Sequence, residues 1–445
     1  MFRIYYVAAL AMALIGVAGP AAAKDLACFA SRDQLICAGE TGFKSYDKAT
    51  ARVRDRVGSL SAAVCGDTIY FADGLTLMSF DGAAFEEIFT VPDSLAAGPF
   101  GAAIDNIACY KDGPIWASWN LGISRWDQGE VTHYAAREIP GSKNVLSIAA
   151  GAGGRAWFST VYATYEFSEG RWKKFTSYYG PLATDPQGRL FMGGNLFGEP
   201  DWHTIVVFHE GNKPTVAAKW PGAGLMQLHG FDSTGTLWTS AAASPSIFHF
   251  SDGKWTEVRL PVDATILDVR SDGAGGLYVT SDAGVGRRHG DGWEWRHPGN
   301  SNLPTSTLGD IAIAGRGRPL PPRAASRMGT VSGHLHWNDG TAVSNADVQI
   351  CLSISVRTAG VESPCEGKLQ IAQTITDSQG RFLFEGVAAG LYSMAVRPDR
   401  NGDRWFVAGS GEIELEPGQS IDAGNISLSR TKSDTRDNRP PKPTK

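Results

Sequence analysis

DSTGTLWTS (232–240) and DGAGGLYVTS (272–281) share one pattern: a polar, glycine-bearing turn, then a short apolar strand around an aromatic residue. The pattern recurs in YKDGPIWAS (110–118), GAGGRAWFS (151–159) and DPQGRLFMG (185–193). Weaker copies are CGDTIYFA (65–72) and SRDQLICA (31–38). The anchors of these copies are Ile36, Tyr70, Trp116, Trp157, Phe191, Trp238 and Tyr278. They recur every ~40 residues, a spacing that accommodates four short strands. A second hairpin follows each anchor, with turns at Asp47-Lys48, Asp81-Gly82, Gln128-Gly129, Glu169-Gly170, Glu210-Gly211, Asp252-Gly253 and Asp291-Gly292. Glycine in the second position suits the positive φ of a two-residue hairpin. No segment sustains a 3.6-residue apolar period, so helices should be rare.

Repeated four-strand units predict an all-β chain with a seven-bladed β-propeller. One such sheet buries little alone, whereas a ring of them buries both faces of every sheet. The aromatic anchors are therefore expected to pack between blades. LGDIAIA (308–314) reads as an innermost strand closing the ring beside the N-terminal strands; DLACFA (25–30) is the competing candidate for that innermost place.

The chain has 445 residues, 42% hydrophobic, 10% aromatic and 20% charged, with a net charge of −5. That aromatic content excludes a disordered chain, and the net charge argues against general nucleic-acid binding. Residues 1–23 read as a secretory signal: Arg3, an apolar run from Ile4 to Gly19, then Ala21-Ala22-Ala23 before Lys24. The apolar run is shorter than the ~20 residues of a transmembrane helix. Without the signal, 40 basic and 46 acidic residues give −6. The tail 430–445 carries six basic and two acidic residues, leaving the body 24–429 at −10. This basic, proline-rich tail reads as a disordered solubilising end.

The expected domains are the propeller at 24–315, a proline-rich linker at 316–328 and a small β-sandwich at 329–429. LWTSAAASPSIFHFSDGKWTEV (237–258) and IWASWNLGISRWDQGEVTHY (115–134) resemble two-component-regulator-type propellers, and streptogramin-lyase-like propellers are similar at this level. No catalytic residue of those lyases carries over. The second domain resembles the carboxypeptidase-regulatory-like, transthyretin-like family. Its elements are Val331-x-Gly333, Asp339-Gly340, Ala346-x-Val348, Thr376-Asp377-x-x-Gly380-x-Phe382-x-Phe384 and Gly390-x-Tyr392. That likeness implies a non-catalytic accessory module. His334 and His336 share one strand face and read as surface residues beside Trp337.

Six cysteines follow the signal, and an even count in an exported chain implies disulfides. A hairpin centred on Arg32-Asp33 would set Cys28 opposite Cys37. Cys351 and Cys365 both fall within the second domain. Cys65 and Cys109 occupy similar places at the ends of inner strands. The expected pairs are therefore 28–37, 351–365 and 65–109.

No nucleophile elbow, zincin motif, phosphate loop or dinucleotide fingerprint occurs, and no catalytic constellation or cofactor is expected. In a propeller, one face carries the loops entering the innermost strands and those joining second to third strands. That face should collect Trp119, Asn120, Tyr162, Tyr178, Tyr179, Trp220, Asp282 and the insertion GGNLFGEPDWH (193–203), with Asp201, Trp202 and His203. Aligned inner strands put Asn106, Ser147, Asp268 and Asp310 at equivalent places near the channel entrance. A metal held by Asp268 or Asp310 with His203 is a sharper alternative. Aromatic faces with amides and carboxylates suit a glycan or another polar, ring-containing ligand. The resulting reading is an exported, monomeric, non-enzymatic binding protein whose partner is an extracellular or periplasmic protein or glycan, with no membrane span after cleavage. The alternative is a propeller lyase or hydrolase, marked by His and carboxylates converging at the channel mouth. N-terminal sequencing of the exported protein should begin at Lys24; a membrane-lodged chain beginning at Met1 would refute the signal.

Overall fold

Strand residues buried on both faces read as near-continuous apolar runs, and Ile115–Trp119, interrupted only by Ser118, is such a run, buried at every position. Outer strands such as Phe85–Thr90 are largely exposed. The computed structural model describes residues 25–31, 33–48, 61–96, 103–119, 122–139, 145–193, 204–208, 213–222, 226–241, 244–272, 274–305, 308–324, 328–352, 363, 365, 368–369, 372–399, 404–407 and 413–429. They form an all-β structure with a β-propeller. Seven four-stranded antiparallel sheets are found among them. Their innermost strands touch in a sequence that returns to its start: Ile311–Ala314, Ala62–Cys65, Ile104–Ala108, Ser147–Ala150, Leu182–Thr184, Met226–Phe231 and Ile266–Ser271. Their sheets are numbered here as blades 1 to 7 in that order. The only α-helix among the described residues is the single turn Asp93–Ala96.

Blade 1 joins the two ends of the ring. Ile311–Ala314 pairs with Leu26–Ala30, which makes 25–30 the second strand of its blade. This placement corrects two expectations. Ile36 lies on the third strand, facing blade 7, and the turn before it joins second to third strands, whereas the turn before the anchor joins first to second strands in the other blades. Asp47 ends the outermost strand, so Asp47-Lys48 is no hairpin turn; the outer hairpin of blade 1 turns through 39–42. The register instead puts Cys28 where Tyr278 and Trp116 stand in their blades. Cys28 pairs with Ala312, as Trp116 pairs with Ala108. A disulfide to Cys37 occupies the place of the aromatic and packs against Ala62, Ile69 and Phe71 of blade 2.

All three expected disulfides are present: Cys28–Cys37, Cys65–Cys109 and Cys351–Cys365. Cys28 and Cys37 stand directly opposite in their hairpin. Elsewhere the anchors fill the gaps between blades. Trp116 meets Phe167 and Trp172 of blade 4 edge-on, with ring centroids 4.9 and 5.7 Å apart.

The segment after blade 1 is strapped down, unlike a free proline-rich spacer. The Arg316 N–H donates to Asp25 Oδ1 at 2.9 Å, and the Ala324 N–H to the Asn300 carbonyl at 2.9 Å. Tyr278 Oη and Arg296 Nε donate to the carbonyls of Arg318 and Pro321. Leu320 is buried with blade 7 and blade 1 residues. Beyond it, Gly329–Trp337, Arg381–Val387 and Ser420–Leu428 form one sheet. Asp347–Leu352 and Gly390–Arg397 centre the other, and Val331, Leu335, Ile350, Phe382, Tyr392 and Met394 pack between the two. Leu369 packs against both this core and the blade 6–7 cluster, and Lys368 Nζ lies 3.4 Å from Asp263 Oδ2.

Trp116→Ala should cost about 3–5 kcal/mol in urea unfolding, because it empties a filled inter-blade gap. Tyr162→Ala, at a residue 67% exposed, should change stability by less than about 0.5 kcal/mol.

Candidate functional site

The ring encloses a cavity of about 710 Å³ between its innermost strands. Leu146, Ile107, Leu228 and Leu267 give it apolar walls; Asn106, Ser147, Tyr179, Gln227, Arg270, Asp268 and Asp310 give it polar ones. The polar groups form a belt set by register. Asn106, Ser147, Gln227 and Asp268 pair with Ser118, Ser159, Ser240 and Thr280 on their second strands. Ser61 and Asp310 take the same level opposite Ala72 and Ala30 through backbone bonds.

The belt staples neighbouring blades. The Leu182 N–H donates to Ser147 Oγ at 3.1 Å, Ile311 N–H to Asp268 Oδ2 at 2.9 Å and Ala62 N–H to Asp310 Oδ2 at 3.2 Å. Ser61 Oγ also donates to Asp310 Oδ2, at 3.1 Å. Asp268 further accepts from Arg270 Nε at 3.0 Å and lies 3.2 Å from His229 Nδ1. Arg270 Nη1 donates to the His229 carbonyl.

The two carboxyls differ in environment. Burial opposes the charge on Asp268, but Arg270, His229 and the Ile311 N–H outweigh it and hold this carboxyl below its usual range. Burial, then the like charge of Asp268, push Asp310 up to about 7, against the pull of Arg270, Ala62 N–H and Ser61. Lys48, whose Nζ donates to the Ser31 carbonyl at 2.8 Å, is lowered by burial to about 8, with Asp73, Asp33 and Asp310 opposing.

Ser240 Oγ lies 2.8 Å from His229 Nε2, so hydroxyl, imidazole and carboxylate follow in the order of a nucleophilic triad. Burial rules against that use. Ser240 has no exposed surface, and its hydroxyl also lies 3.0 Å from Gln227 Oε1 as donor. Ser240 does not line the cavity, and the three groups act as a tie between blades 6 and 7.

Of the residues selected from sequence, Asn106, Ser147, Tyr179, Asp268 and Asp310 line this cavity together. Trp119 does not: it is 1% exposed, its indole N–H donates to Ser124 Oγ at 3.0 Å, and it packs in the gap between blades 2 and 3. Its ring is unavailable to a ligand, as are the buried Trp220 and Asp282. Tyr162 stands exposed on a blade 4 loop, and Tyr178 is half-buried against the core between blades 4 and 5, its carbonyl accepting from Thr164 Oγ1 at 2.8 Å. Asn120, Asp201, Trp202 and His203 lie outside the described residues. Among the described residues no group of three potential ligands could hold a metal. His334 Nδ1 is 3.0 Å from Asn425 Oδ1, and His336 Nδ1 is 2.9 Å from the Trp337 carbonyl.

His229 and Arg270 were not selected from sequence. His229 enters the wall at a bulge between Leu228 and Gly230, where Gly230 has φ +114°. A glycine inside a strand pattern is the available signal for such a bulge. Arg270 stands opposite Tyr278, where other blades place Ala63, Ala108, Ala149, Ala183, Gly230 and Ala312. A lone arginine in a column of small residues was visible once the strands were aligned.

No known protein family matches the chain, and no curated protein matches it in sequence. Solved structures with a similar course include a virginiamycin B lyase from Staphylococcus aureus, 16% identical, covering 53% of this chain and 82% of that one, TM-score 0.43. Another is PorZ, a surface component of the type-IX secretion system of Porphyromonas gingivalis, 13% identical, covering 87% of this chain and 63% of that one, TM-score 0.44. A streptogramin B lyase is 15% identical, covering 76% of this chain and 98% of that one, TM-score 0.34. These likenesses concern the fold alone.

A carboxyl raised in the folded state contributes stability at low pH that is lost as pH rises through its folded value. Asp310→Asn keeps an oxygen acceptor for the Ala62 N–H and removes the charge. Its melting temperature should exceed the parent's at pH 8, with the difference shrinking as pH falls below about 7 and vanishing only below about pH 4, where the unfolded carboxyl is protonated as well. An equal or lower value at pH 8 would show that the Asp310 charge is not a burden on the fold.

Proposed function

We propose that the chain is an exported binding protein whose propeller channel receives a small polar ligand, glycan-like in bearing both apolar and hydrogen-bonding faces. The C-terminal sandwich serves as a carboxypeptidase-regulatory-like accessory module. One observation carries the reading: a single cavity of about 710 Å³ combines an aromatic rim at Tyr179, amides at Asn106 and Gln227, and apolar walls. Such a mixture orients a polar ligand while burying its ring faces. The titratable groups of the wall are engaged with protein partners, which favours binding over nucleophilic chemistry. Three disulfides and the signal-like first 23 residues support an oxidising, exported location.

A second reading has its own support. His229, Asp268 and Asp310 converge on the channel, and Asp310 exchanges its proton near neutrality, as a general acid or base requires. Turnover of a bound ligand that disappears in Asp310→Asn while binding persists would establish this lyase or hydrolase reading.

The binding reading is checked by thermal shift of the purified mature protein against a panel of mono- and disaccharides. A ligand should raise the melting temperature by mass action. Tyr179→Ala should weaken that ligand about tenfold, as expected for loss of one aromatic contact. The ligand-free melting temperature should stay within about 2 °C of the parent's. A panel without a stabilising member, or binding indifferent to Tyr179→Ala, would overturn the reading.

A further inference from the structure

The belt contains its own control. Ser147, Asp268 and Asp310 each accept an N–H from the innermost strand of the next blade, and at Ser147 a neutral hydroxyl suffices. Stapling therefore requires no charge. The charge of Asp268 is answered by Arg270 and backed by His229. Asp310 has only neutral hydrogen-bond donors among the described residues, Ser61 Oγ and the Ala62 N–H. The charged or titratable groups around it are Asp268 and Arg270 from blade 7, Lys48 from the outer end of blade 1, and His229 behind Asp268. Arg270 directs Nε to Asp268 and Nη1 to the His229 carbonyl, while Lys48 Nζ donates to the Ser31 carbonyl. A buried carboxylate facing a cavity without a direct counter-ion is costly. The charge of Asp310 exceeds what the staple needs, and it lines the cavity.

We infer that the channel takes an ammonium-bearing small molecule, its cation seated against Asp310 and its body against Tyr179, Asn106 and Gln227. This specifies the ligand chemistry of the channel and rests on the channel being a binding site. The incoming cation supplies the charge that the wall omits. Burial and Asp268 hold Asp310 at about 7, and an ammonium group would draw it down. The body charge of −10 attracts cations over longer range.

Calorimetry with 1,4-diaminobutane and its neutral counterpart 1,4-butanediol tests this on the mature protein. The diamine keeps its charge from pH 6 to 8, so any pH dependence belongs to the protein. It should bind at least about tenfold more tightly than the diol at pH 8. Its affinity should fall about tenfold at pH 6, as the ionised fraction of Asp310 falls. Asp310→Asn and Asp310→Ser, the latter reproducing the residue at Ser147, should both erase the preference without lowering the melting temperature at pH 8. Equal binding of the two probes, binding of neither, or a diamine preference retained in both variants overturns the inference. The Tyr179→Ala saccharide measurement judges the binding channel separately, so failure of the ammonium assignment is distinguishable from failure of the channel.

Discussion

The pairing of Ile311–Ala314 with Leu26–Ala30 closes the ring, and the other inter-blade contacts depend on it. An open stack of blades would leave one face of its first and last sheets in water. Bringing these distant segments together carries a loop-closure cost that rises only slowly with length, so a few strong local devices can offset it. The Cys28–Cys37 bridge stiffens the receiving hairpin, the Arg316 N–H reaches back to Asp25, and Leu320 covers the seam. The proline-rich segment that follows is thus part of the closure.

Closure also creates the central cavity. Seven innermost strands meeting at one level bring Asn106, Ser147, Gln227, Asp268 and Asp310, at one register position of their blades, to one cavity. At most of these positions the residue can be small or neutral, because its structural duty is one hydrogen bond to the next blade. Two adjacent blades depart from that economy with Asp268 and Asp310. The first is paired within the wall with Arg270; the second is not, and burial, then the like charge of Asp268, raises its proton affinity. Identical positions in one ring thus acquire different chemistry from the single arginine on one side.

The C-terminal sandwich has its own core and meets the propeller through Leu369 and the Lys368–Asp263 pair. The Cys351–Cys365 bridge ties the connection just before these residues to a core strand.

The repeat, the aromatic packing between blades and the Cys28–Cys37 pair were legible in sequence because each follows from local spacing, whereas Cys65–Cys109, 44 residues apart, was legible only through the equivalence of two repeats. Period, turn chemistry and opposition across a hairpin involve residues near one another in the chain. Alignment of inner strands also brought out Asn106, Ser147, Asp268 and Asp310. Sequence alone misplaced the first anchor at Ile36, since the innermost strand of that blade arrives from the other end of the propeller. It also offered Trp119 to a ligand, because an aromatic at a strand end looks the same whether it faces solvent or the neighbouring blade. The bulge that carries His229 to Asp268, and the contrast between a paired Asp268 and an unpaired Asp310, were decided only by tertiary structure. Both depend on which blade lies beside which, and a carboxylate's charge state is set by neighbours that local sequence spacing does not reveal.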